Sequence, residues 1–169
     1  MLSRLTSFML PLGIAASPAY ATLAPLPCEI ASIKNIGELY PLLSERAIEI
    51  VRRANASGWK GDRRLQTLVS PDAEFSLGSG DVGRPMGSGI EGAHAMAGDM
   101  RADSFRYLTW SSIPMPIDAC GEHKVKVEFI RTSAREFDSV DFTFRAGRLI
   151  SAEGWSAWFV SGNMGNIKR

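Results

Sequence analysis

Three runs between Lys124 and Val160 place apolar side chains at every second position, separated by short polar turns. This alternation commits the last third of the chain to consecutive β-strands. Along Glu136, Asp138, Val140, Phe142 and Phe144, one strand face is apolar at one end and acidic at the other. A half-buried sheet with carboxylates on its inner face predicts a pocket, and a pocket of that composition predicts a small apolar ligand.

The chain opens with a different signal. Arg4, the apolar stretch from Phe8 to Ala16 and then Ala19-Tyr20-Ala21 have the layout of a secretory leader. Residues 1–21 are therefore expected to be a signal peptide, with a mature start at Thr22 and a secreted or periplasmic product. Its apolar run is too short to span a bilayer. With Arg4 removed, the 19 Lys+Arg come level with the 18 Asp+Glu. That balance argues against nucleic acid or an anionic membrane surface as partner. The two cysteines, Cys28 and Cys120, both lie in the exported part, where such a pair reads as a disulfide.

Residues 22–38, with Pro25 and Pro27, read as an extended leader to a domain over 39–162, and 163–169 as a tail. Leu39, Leu42, Leu43, Ala47, Ile50, Val51 and Ala54 follow the helical period. Pro41 suits a first turn and places the start of that helix near Tyr40. Asp62 caps a shorter helix through Leu65 and Leu68, broken by Ser70-Pro71. A brief strand over Ala73–Leu77 leads into a glycine-rich hairpin. Gly78-Ser79-Gly80-Asp81-Val82-Gly83 matches G-x-G-x-x-G literally, but Pro85 stands where a dinucleotide site needs a helix start. Ile90, Ala93, Ala97 and Met100 mark a third helix, and Phe105–Ile113 has strand composition. Helices first, one helix between strands, then consecutive strands is an α+β order: a curved antiparallel sheet packed against N-terminal helices.

Through Leu65–Gly78 (LQTLVSPDAEFSLG), Gly89–Ala97 (GIEGAHAMA) and Phe142–Trp155 (FTFRAGRLISAEGW), the chain resembles the nuclear transport factor 2-like superfamily. That superfamily includes SnoaL-like proteins and ketosteroid isomerase. The resemblance is one of pattern and covers most of Leu39–Val160. It implies a cone-shaped fold, a cavity between sheet and helices, and often a homodimer. Members include isomerases, dehydratases, cyclases and domains that only bind, so no catalytic residue is carried over.

Turns centred on Thr132–Ser133 and Ala146-Gly147 would set Val127 opposite Asp138 and Val140 opposite Glu153. One face then carries Val127, Asp138, Val140, Phe142, Glu153 and Trp155, and the other carries Ile130, Phe137, Ile150, Trp158 and Val160 as a dimer contact. Asp138 and Glu153 become neighbouring carboxylates whose pKa values burial and mutual repulsion would separate. In an acid–base site, Asp138 is the base, Glu153 a second carboxylate and His94 a proton shuttle or electrophile. Phe142, Trp155, Val140, Val127 and Tyr107 are the expected ligand walls. Set against this is a structural role, with the carboxylates paired to Arg101, Arg106 or backbone donors and His94 at the helix edge bonded to backbone or water. The two histidines have no metal-ligand spacing, and no cofactor motif is present, so a cofactor-free isomerase, dehydratase or hydrolase is the enzymatic alternative to binding. A dimeric interaction protein with a filled cavity is the third reading.

Overall fold

In a computed structural model of the protein, residues 27–80, 82–109 and 115–159 are described. The expected signal peptide, Trp110, Val160 and the 163–169 tail lie outside them. Helix α1, Ile36–Ala54, starts earlier than Pro41 suggests. The Asn35 side chain accepts from the Glu38 amide at 3.0 Å and caps the N-terminus there. Pro41 then sits inside the helix on its exposed side, where water can satisfy the carbonyl that proline leaves unpaired. Leu39, Leu43, Ala47, Ile50 and Ala54 form the buried stripe. Asp62 caps α2, Arg63–Leu68, by accepting from the Arg64 and Leu65 amides.

The chain then runs directly into β1, Val69–Ser79, which hairpins to β2, Val82–Ser88. Helix α3, Gly89–Met100, separates this hairpin from β3, Ser104–Tyr107. A meander of β4, Glu122–Arg131, β5, Glu136–Arg145, and β6, Arg148–Trp158, completes the described chain. The six strands form one sheet in the order β2-β1-β6-β5-β4-β3. The α+β architecture is the one the resemblance implies, with a correction to the sheet. It is mixed rather than antiparallel, because β6 lies parallel to β1. The chain between them, through β2, α3 and β3–β5, is long enough to reverse direction and return alongside the first strand. Register shifts in the β1–β2, β1–β6 and β5–β6 pairs bend the sheet, as bulges do.

The sheet face toward the helices carries Val125, Val127, Phe129, Val140, Phe142, Phe144 and Ala152, packed with α1 and α3 into one core. A disulfide joins Cys28 and Cys120, tying the segment before α1 to the connection before β4. Among the described residues, no helix is long and apolar enough to cross a membrane.

Candidate functional site

Two register differences decide which predicted residues meet. Between β4 and β5, Asp138 lies opposite Phe129 and Val140 opposite Val127, two residues from the expected pairing. An even offset leaves every side chain on its predicted face. Between β5 and β6 the offset is odd. Phe144 pairs with Leu149 but Thr143 pairs with Ser151, so Ile150 is an extra residue in β6. From there on the strand is inverted. Ala152, Gly154, Ser156 and Trp158 share the helix-facing side with Asp138, while Ser151, Glu153 and Trp155 face the other way. Glu153 is therefore not the neighbour of Asp138, and Trp155 is not a wall of the helix-side space. Trp158, expected on the outer face, is on the inner one, where its Nε1–H donates to Glu136 at 3.0 Å.

Asp138 itself is where the pattern puts it, 8% exposed on the helix-facing side. The hydroxyl of Ser156, its cross-strand partner, donates to Oδ1. Burial is the largest influence on its carboxyl and pushes its pKa above the ordinary value. The Ser156 bond and the Arg131 charge pull it down, and the Asp99 charge raises it further. Arg131 pairs with Glu136 rather than with Asp138, and Arg106 pairs with Glu128. Ser156 and Asp99 are the neighbours that strand alternation missed. Only the bulge brings Ser156 over, and Asp99 arrives from α3.

His94 is held elsewhere. Its Nδ1–H donates to the Ala54 carbonyl at 2.7 Å, closing the C-terminal end of α1. Its ring stacks on Trp59 with centroids 4.2 Å apart and planes 15° from parallel. The expected constellation of Asp138, His94 and Glu153 is thus spread over three places. Among the expected walls, Val127, Val140 and Phe142 are fully buried core residues. Tyr107 donates its hydroxyl to Glu45 on α1, and burial together with that carboxylate pushes its pKa up to about 12.

Two openings adjoin these residues. A cavity of about 80 Å³ lies between the C-terminal half of α1, the end of α3 and strands β3 and β4. Its floor is Ile48, Val51, Ala97, Phe105 and Phe129, and its rim carries Arg52, Asn55 and Asp103. Phe129 is the residue paired with Asp138, so the cavity continues the sheet row that holds the carboxyl. The Arg52 guanidinium stands 4.9 Å above the Phe105 ring centroid. On the opposite face, an open cleft of about 700 Å³ runs along β1, β2 and β6, with Glu74, Ser76, Pro85, Ser151 and Glu153 on its walls. Both spaces open to solvent and mix polar with apolar lining; the smaller lies between helix and sheet against the core, and the larger lies on the outer face of the sheet.

No family model and no curated protein sequence matches the chain. Among solved structures it is similar to a provisionally assigned ketosteroid isomerase from Kribbella flavida, at 11% identity and TM-score 0.44, over 80% of this chain and 92% of that one. It is similar to the de novo designed NTF2-fold protein NT-9, at 15% identity and TM-score 0.40, over 71% and 85% of the two chains. A Methylobium petroleophilum protein of unknown function with a cystatin-like fold gives 9% identity and TM-score 0.43, over 76% and 84%.

Proposed function

We propose that this is an exported small-molecule-binding protein that receives an apolar ligand in the cavity between α1, α3 and strands β3–β4, without a cofactor. The observation that supports this reading is the placement of the space between helix and sheet, with Ile48, Val51, Ala97, Phe105 and Phe129 at its base and Arg52, Asn55 and Asp103 at its rim. Apolar walls supply affinity through surface removed from water, and a few rim groups set orientation. Export is supported by the leader and by the Cys28–Cys120 bond, which an oxidising compartment favours. On the outer face Ile130, expected in a dimer contact, is fully buried, whereas Trp155, 39% exposed, is available to a second copy in a homodimer. Acid–base chemistry is the second reading, favoured by the raised pKa of buried Asp138 beside Phe129. There Asp138 acts alone as proton acceptor, with Ser156 orienting it.

Titrating the isotope-labelled protein with butan-1-ol tests the binding reading. Saturable amide shifts confined to Val51, Ala97, Phe105 and Phe129 are expected. Shifts scattered over the surface, or none, would refute it.

A further inference from the structure

Arg52, on the rim, stands apart from its neighbouring arginines in making no ion pair among the described residues. Its neighbours on α1 and α2 show the contrast. Arg53 pairs with Glu49 at 2.8 Å and with Asp62 at 2.9 Å, and Arg64 takes the same Glu49 oxygen at 3.3 Å. Arg52 makes no ion pair among the described residues, and its recorded partner is the Phe105 ring below it. The nearby carboxylates are engaged. Glu45 accepts the Tyr107 hydroxyl. Asp103 accepts from Ser104 at 2.8 Å and from both the amide and the hydroxyl of Thr132.

A guanidinium resting on an aromatic ring keeps its N–H donors free, and their fork matches the two oxygens of a carboxylate. It stands at the edge of a small space of about 80 Å³. Such a space takes a short alkyl group rather than a polycyclic body. We infer that the ligand of this cavity is a small monocarboxylic acid, its alkyl part on Ile48, Val51 and Phe129 and its carboxylate on Arg52. This rests on the cavity reading above and specifies the chemistry of its ligand.

The test compares butyrate with butan-1-ol, which share a three-carbon alkyl chain and differ in charge, at equal pH and ionic strength. Binding is followed by the amide shifts of Val51, Ala97 and Phe129, in the oxidised protein and in Arg52→Gln. Glutamine keeps helix propensity at this exposed position, so folding is preserved. Butyrate is expected to bind about tenfold tighter than the alcohol, and Arg52→Gln to equalise the two. Equal binding to the unmodified protein, or a preference that survives Arg52→Gln, overturns the carboxylate assignment and leaves the cavity reading standing. No response at those amides to either probe overturns the cavity reading, and this inference falls with it.

Discussion

Trp155 covers Gly78, its partner across the parallel β1–β6 pair: a β-carbon on Gly78 would fall 2.4 Å from Cζ3 of the indole and 2.6 Å from Cε3. The glycine is required by contact with a neighbour, since its φ is an ordinary one. Gly78→Ala should therefore destabilise the fold by about 1–3 kcal/mol, as overpacking does. Trp155→Ala in the same chain should recover most of that loss, because the clash is with this one ring. Urea denaturation of both single variants and the double variant gives the coupling. Additive losses would show that the indole swings aside, which its partial exposure permits.

Reduction should matter more than any single surface contact. Cys28 and Cys120 are 92 residues apart in sequence. Closing a loop of that length restricts the unfolded chain by roughly 4–5 kcal/mol in the entropic model, an upper figure for the real bond. The bond also anchors the segment holding Ile30, which is 3% exposed against the core. Denaturant midpoints with and without dithiothreitol should differ by several kcal/mol in derived stability. A difference below about 1 kcal/mol would mean that the unfolded chain is already compact.

A comparable anchor ties α1 to the β5–β6 turn. Arg46, 9% exposed, donates from Nη1 to the Gly147 carbonyl at 2.6 Å, with Glu29 at 3.5 Å from Nη2. Arg46→Met keeps the stem and leaves the Gly147 carbonyl without its charged donor, at an expected cost of about 1.5–3 kcal/mol. Gly147, at φ +80, should be less tolerant still: an alanine there is strained in backbone and lies 2.6 Å from Arg46 Nη1. Thermal melts of the two variants check the ranking, and Gly147→Ala melting above Arg46→Met would reverse it.

What was legible in the chain follows from what alternation and capping encode. Asp62 as a cap, the β1–β2 hairpin and the faces of β4 and β5 were readable because each depends on residues close in sequence. The Ile150 bulge was not. In the run Ser151-Ala152-Glu153-Gly154-Trp155, the large residues draw the eye to one alternate set, yet the core positions are Ala152 and Gly154. They are small because other strands fill the space. A β-carbon on Gly154 would meet Leu77 at 2.8 Å and Val140 at 2.9 Å. That crowding comes from β1 and β5, so β6 alone carries no trace of it. His94 bonds to backbone, as its structural reading has it, but the partners Ala54 and Trp59 are fixed by how α1 meets α3 and so leave no trace in the local sequence.

The same bulge gives Asp138 its serine, and this has a consequence in pH. Burial raises the Asp138 pKa in the fold above the ordinary 3.8, so folding favours the protonated carboxyl. Its contribution to stability is fully present below pH 3.8 and is lost as pH rises through the folded-state value. Asp138→Asn mimics the protonated form and keeps an oxygen to accept from Ser156. The variant should match the parent in strong acid and become the more stable of the two above the folded-state pKa, reaching a plateau by neutral pH. Ser156→Ala removes a bond that favours the ionised form, so it should move this window to higher pH. Denaturation curves across the acid range, for the parent and both variants, decide the matter. An Asp138→Asn variant less stable than the parent at pH 7 would mean that Arg131 holds the carboxylate ionised after all.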